Sequence, residues 1–256
     1  MKKIILFALC LGFLNTAFAQ CGAYWGTTRY GGTGGGAGSI FVTDETGQNP
    51  RIIHSFAFDF PGLDPEDQTL VESNGLLYGT ATEGGTYDDG VLYSYDLSTG
   101  IYTAVVNFEA AITGSEPSGA LQVGSGGIIY GTTKFDGPGS SGTLYAYDPI
   151  QDTLEILLDF STTTFSGFNT TIYLASDGNI YGNSPNAGSN SDGLLFKLDL
   201  TSLSYTTLFE FDDDGSQDGR RVQNQLVEGT AGLLYGSTYQ GGTNDDGVIF
   251  QYDYIN

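Results

Sequence analysis

Asp212, Asp214, Ser216 and Asp218 place an oxygen-bearing side chain at every second residue. Hard oxygen donors at alternate positions are how a calcium loop collects its ligands. The pattern breaks where it matters most. The sixth position, which needs glycine for a sharp turn, is Gln217, and the twelfth, which supplies a bidentate carboxylate, is Gln223. What survives predicts a weak calcium site of the extracellular kind and no other cofactor.

Chemistry elsewhere has less to work with. His54 is the single histidine, and Ile52, Ile53 and Phe56 surround it. One imidazole does not make a histidine-based zinc site. No serine stands in a Gly-x-Ser-x-Gly elbow, and no glycine-rich loop ends in a phosphate-binding lysine. Carboxylate pairs for glycoside hydrolysis meet in space rather than in sequence, and no pair is singled out by spacing. The expectation is a chain without catalytic residues.

Two side-chain types recur instead. Tyr78, Tyr130, Tyr181 and Tyr235 each precede a glycine, and Trp25 holds the same place earlier. Such a ring of aromatics could stack on sugars, but a position inside a strand beside glycine predicts packing, because rings bury large areas. Asp44, Asp96, Asp148, Asp199 and Asp253 also recur. They could be repeated metal ligands; an Asp at a turn more simply accepts hydrogen bonds from amides two residues on.

The elements that position these residues follow from a repeat. With the last glycine of the Leu-Tyr-Gly phrase as marker, copies fall at residues 26, 79, 131, 182 and 236, in steps of 53, 52, 51 and 54. Each copy reads as four short strands. The first is Thr69-Leu70-Val71-Glu72 and its kin, Ala120-Leu121-Gln122-Val123, Ile172-Tyr173-Leu174-Ala175 and Gln225-Leu226-Val227-Glu228. A turn such as Ser73-Asn74-Gly75 or Asp177-Gly178-Asn179 follows, and glycine there accepts positive φ. The second strand carries the marker phrase, the third ends in the recurrent Asp, and the fourth is residues 102–108 and their counterparts. Repeating four antiparallel strands at this period predicts an all-β, propeller-like fold of about five blades. A β-solenoid is the alternative, and its coils are shorter than this. The predicted repeats lie near 20–68, 69–119, 120–170, 171–224 and 225–256.

The phrase ending in a glycine pair, followed by a strand ending Tyr-x-Tyr-Asp, resembles kelch blades. More specifically it is similar to the GloVer repeat of secreted bacterial tandem-repeat proteins. Gly131-Thr132-Thr133, Gly241-Gly242 and Gly193-Leu194-Leu195-Phe196-Lys197-Leu198 carry that likeness. It covers nearly all of residues 20–256 and implies a repeat domain, with no catalytic residue to carry over. Copy four departs furthest, since Asn183-Ser184-Pro185 replaces the threonine pair and only Gly188 of the glycine pair remains.

Residues 1–19 read as a signal peptide. Lys2 and Lys3 precede the apolar run 4–14, which is too short to span a bilayer, and Ala17-Phe18-Ala19 fits a cleavage site. Gln20 before Cys21 argues against lipidation. Cleavage takes the formal charge from −22 to −24 and leaves Cys21 as the one cysteine, so no internal disulfide forms. The expected location is secreted or extracytoplasmic. With 30 acidic and 8 basic residues, nucleic acid and anionic membranes are excluded as partners.

Loops after strands two and four should share one rim, and 18 of the 30 acids fall on them. Long loops on a rigid scaffold are where ligands meet such folds. The leading expectation is a non-catalytic module that binds an extracellular glycan or protein. The alternative is a carbohydrate-active enzyme or lectin that uses the acidic rim with Tyr30, Tyr87 and Tyr239. Copy one begins at strand two and copy five stops after strand three. The ring is therefore expected either to close on incomplete blades or, the favoured reading of the abrupt stop, to be truncated with an exposed apolar edge over residues 248–252.

Overall fold

The computed structural model describes residues 24–33, 36–56, 62, 65, 70–163, 170–212, 219–230 and 232–255. The expected signal peptide and Cys21 lie outside them. Among the described residues there are 18 strands in five sequential sheets. Sheet one holds β1 (Trp25–Thr28), β2 (Ser39–Val42) and β3 (Arg51–Ser55). Sheet two holds β4 (Val71–Ser73), β5 (Leu76–Ala81), β6 (Val91–Asp96) and β7 (Tyr102–Asn107). Sheet three holds β8 (Ser115–Val123), β9 (Ile129–Phe135), β10 (Thr143–Asp148) and β11 (Thr153–Asp159). Sheet four holds β12 (Thr171–Leu174), β13 (Ile180–Ser184), β14 (Leu194–Asp199) and β15 (Ser204–Glu210). Sheet five holds β16 (Arg220–Glu228), β17 (Leu233–Gln240) and β18 (Ile249–Asp253). Within each sheet, chain neighbours pair antiparallel.

Two first strands are longer than their apolar cores predict. β8 and β16 each run nine residues, because register shifts between Ser118 and Gln122 and between Gln223 and Val227 let earlier polar residues join the ladder. A bulge absorbs residues that strict alternation would reject.

The core lies between sheets rather than within one. Four apolar clusters each join two consecutive sheets: Ile40 and Phe56 meet Leu77 and Tyr93, for example, and Leu195 and Phe211 meet Val222, Leu226 and Leu234. Polar latches follow the same rule. Thr27 Oγ1 donates to Pro65 O at 3.1 Å, Thr132 Oγ1 to Thr170 O at 3.3 Å, and Asn183 Nδ2 to Asn224 O at 2.9 Å. Each donor follows a marker glycine and reaches the next sheet, either within its first strand or ahead of it. Asn183 thus does in copy four what threonine does elsewhere, although the phrase itself has diverged.

The marker glycine has a steric cause. In every sheet it pairs with an aromatic residue on strand three: Gly26 with Phe41, Gly79 with Tyr93, Gly131 with Tyr145, Gly182 with Phe196 and Gly236 with Phe250. The ring lies across the bare backbone, so that a Cβ at Gly26 would sit 2.6 Å from Phe41 Cζ. Tyr93 and Tyr145 carry a hydroxyl where three sister positions have none, and both hydroxyls are buried with no hydrogen-bond partner among the described residues. Burial pushes both phenols upward in pKa. Removing a buried, unpaired hydroxyl relieves its desolvation cost. Tyr145→Phe is therefore expected to raise unfolding free energy by about 1 kcal/mol in urea melts. A loss of stability would mean the hydroxyl is paired in solution.

Strand four bulges at one place in four sheets. The register slips between Ile40 and Phe41, Leu92 and Tyr93, Leu144 and Tyr145, and Leu195 and Phe196. Ile53, Val105, Leu157 and Leu208 are the extra residues. A bulge sharpens the twist of the strand that carries it. Just beyond it a buried phenylalanine ends the strand: Phe56, Phe108 and Phe160 are 0% exposed and Phe211 is 3% exposed.

Candidate binding surface

Those four phenylalanines also fix where the loops emerge. Their backbone N–H groups donate to the glycine carbonyls before strand three: Phe56 to Gly38, Phe108 to Gly90, Phe160 to Gly142 and Phe211 to Gly193, at 2.8–3.1 Å. A bond from the end of strand four to the start of strand three puts the loop after strand two and the loop after strand four at the same end of each sheet. The expected sharing of one edge holds sheet by sheet.

Many carboxylates of that edge brace loops. Asp88 accepts the Gly84 N–H at 3.1 Å and Asp245 the Gly241 N–H at 2.8 Å, so each ties down a glycine pair. Asp89 accepts the Ala110 N–H at 2.7 Å. Asp136 is bonded by the Ser115 hydroxyl. Glu116 pairs with Lys134 at 3.5 Å, and Asp245 with Arg220 at 3.6 Å. The last residue of strand four holds the same loop in three sheets: Ser55 accepts from Thr33 N–H, Asn107 from Thr86 N–H and Glu210 from Ser189 N–H. The Ser189 amide holds the Glu210 carboxyl below its usual range. The acidity of the edge is in good part scaffolding.

Of the calcium candidates, Asp212 is placed directly after Phe211, whereas Asp214, Ser216 and Asp218 lie outside the described residues. Among the described residues no three His, Cys, Asp or Glu side chains gather as a metal site. His54 stacks flat on Tyr102 with ring centroids 4.6 Å apart, and burial lowers its pKa. It serves as a core ring.

The recurrent Asp residues at the end of strand three behave as turn residues in all five sheets. Asp44, Asp96, Asp148, Asp199 and Asp253 accept the N–H of Thr46, Ser98, Ile150, Thr201 and Ile255, each two residues on, at 2.7–3.0 Å. Hydrogen bonds, led by the Thr46 and Ser98 side chains, pull Asp44 and Asp96 down to about 2. Because the folded pKa is depressed, this stabilisation is complete above the unfolded value near 4 and is lost as pH falls through about 2. Melting temperature is expected to drop between pH 4 and pH 2, and the drop should shrink in an Asp44→Asn, Asp96→Asn double variant. An unchanged slope would show that the turns contribute nothing to acid unfolding.

The marker tyrosines pack, as their strand positions predict: Tyr78 is 2% and Tyr181 0% exposed, and Tyr130 and Tyr235 are half-buried. Four exposed aromatics sit instead at the end of strand two or on the loop after it. Tyr30 is 72%, Tyr87 52%, Phe135 39% and Tyr239 62% exposed, on four different sheets. Phe135 escapes a reading that looks only for tyrosine, although it stands as far past Gly131 as Tyr30 does past Gly26. The Arg29 guanidinium lies 5.2 Å from the Tyr30 ring, a cation–π contact at the same edge.

A family profile, the Gloeobacter/Verrucomicrobia repeat, matches residues 15–250. No curated protein matches the chain. Among solved structures, TolB from Acinetobacter baumannii is similar at 13% identity and a TM-score of 0.55, over 86% of this chain and 47% of that one. The extracellular domain of BT4673 from B. thetaiotaomicron, described as a one component system, is similar at 11% identity and a TM-score of 0.54, over 84% of this chain and 24% of that one. The chain thus spans about half the length of the first and a quarter of the second. Likeness at these identities concerns the fold alone: antiparallel sheets stacked face to face.

Proposed function

From the premise that the chain belongs to the Gloeobacter/Verrucomicrobia repeat family, we propose that it is an exported, non-catalytic binding module built as a kelch-like, five-bladed propeller. Residues 1–19 would direct export, and the five repeats near 20–68, 69–119, 120–170, 171–224 and 225–256 would form the blades. The observation that carries the reading is the set of solvent-exposed aromatics, Tyr30, Tyr87, Phe135 and Tyr239, at the end of strand two or on the loop after it, where acidic and amide side chains hydrogen-bond the loop backbone. Exposed rings on a braced loop edge offer stacking area at little entropic cost. The partner is an extracellular glycan or protein, with nucleic acid and anionic membrane disfavoured by charge. The loop from Asp212 to Asp218 would add a weak calcium site, for which a larger rise in melting temperature with millimolar calcium than with equal magnesium is the test.

A glycan array and a panel of chromogenic glycosides test the main reading. Binding without turnover is expected, and Tyr87→Ala with Tyr239→Ala should weaken it by about tenfold or more while melting temperature stays within about 2 °C. Turnover abolished by one loop carboxylate substitution would establish the carbohydrate-active enzyme instead.

A further inference from the structure

The loop edge is one end of each sheet, and the turns after strands one and three form the other. Ser73 Oγ donates to Gly127 O at 3.3 Å, and Leu174 N–H to Gln122 Oε1 at 3.2 Å, so the turn ends of sheets two, three and four adjoin. On each of these sheets the turn after strand three exposes an aliphatic side chain. Ile101 is 60%, Ile150 78% and Leu203 43% exposed, and Leu97, on the same turn as Ile101, is exposed as well. The turns themselves do not call for these residues. Counted from the Asp that opens each turn, Ile101, Ile150 and Leu203 stand at the fifth, second and fourth places. Sister turns hold Thr153 and Ser204, Ser98 and Thr201, and Gly100 and Asp152 at those places. Leu203 is even unfavourable where it stands. Its φ of 54° lies in the left-handed region, which Gly100 enters without penalty at 72° and a bulky side chain resists.

We propose that this turn edge is a protein-docking surface, and that its occupant is a partner segment combining aliphatic with lysine or arginine side chains. Apolar residues scattered singly over a surface need no explanation. Three consecutive turns that each expose one, at places where sister turns are polar, do need one. The turn of sheet one is the contrast, since Glu45-Thr46-Gly47-Gln48 holds no aliphatic at all. Charge then selects the occupant. The three turns carry Asp96, Asp148, Asp152 and Asp199, and residues 96–102, 148–154 and 199–205 include no lysine or arginine. Those carboxylates repel an anionic lipid surface, and a second copy of formal charge −22 is repelled likewise. A basic, aliphatic segment satisfies both features, because its cations meet the carboxylates while its apolar side chains cover Ile101, Ile150 and Leu203.

The proposal adds a second surface, at the opposite end of the sheets from the exposed aromatics. The probe is a fluorescein-labelled amphipathic peptide of leucine and lysine, titrated into the intact protein by anisotropy at physiological salt. A serine–lysine peptide of equal length and charge is the control for attraction by net charge alone. Saturable binding of the leucine–lysine peptide is expected, weakened by about tenfold or more in an Ile101→Ser, Ile150→Ser double variant. Leu203→Gly should also weaken binding while its melting temperature holds or rises, whereas a Leu203 kept for packing would lower it. Hydrogen exchange should slow in residues 97–101, 149–153 and 200–204 when the peptide is added, a readout that needs no variant. Equal binding of the serine–lysine peptide, binding indifferent to the substitutions, or protection elsewhere would overturn the inference. So would capture by anionic vesicles or a dimer that the peptide does not dissolve, since lipid or a second copy would then be the occupant. Ile150→Ser should keep loop-dependent glycan binding, and Tyr87→Ala should keep peptide binding, so the two readings fail separately.

Discussion

Phe160→Ala is expected to cost about 3–5 kcal/mol, enough to lower the melting temperature by roughly 10 °C or more in a domain of this size. Phe160 is fully buried and packs in the cluster between sheets three and four, 6.5 Å from the Phe196 ring. Its own amide is spent on Gly142 O, so the ring is held at the point where the chain leaves one sheet for the next. Truncation leaves a cavity bounded by two sheets that are each tied to other neighbours, and such a site collapses poorly. Phe160→Leu should cost well under half as much. The comparison is made by urea denaturation at constant slope, and a loss below about 1.5 kcal/mol for the alanine variant would show that the sheet junction is not a keystone of the fold.

Gly131→Ala is expected to cost about 2–3 kcal/mol or more, the upper range for overpacking. The added methyl would run into the Tyr145 hydroxyl and ring carbon, with Leu121 Cδ2 2.8 Å away on the other side. The Tyr145 ring cannot step aside, because it is fully buried and lies 5.1 Å from the Phe108 ring of the preceding sheet. A double-variant cycle separates this clash from any general intolerance of a side chain: in a Tyr145→Ala background the second change should cost much less. Additive costs would mean that the glycine is there for some other reason. Gly79→Ala should behave alike, since Tyr93 and Leu70 close on it in the same way.

The sequence by itself determined the period, the strand types and the turn chemistry. Those are local properties. Alternation along a strand, glycine at a positive φ, and an Asp that bonds an amide two residues on all depend on a few adjacent residues, so five copies of one phrase repeat one answer. Tertiary structure alone decided what the phrase is for. Gly131 reads only as the marker glycine of a strand until Tyr145 is seen lying across it, and Phe160 reads as one more strand-four residue until its amide is found on Gly142. The extended reach of β8 and β16 escaped because a bulge breaks the alternation that sequence reading counts. The acidic loops escaped in the opposite sense. A carboxylate in a loop looks the same in sequence whether it faces water or holds a backbone amide, and only the geometry around Asp88, Asp89, Glu210 and Asp245 separates the two.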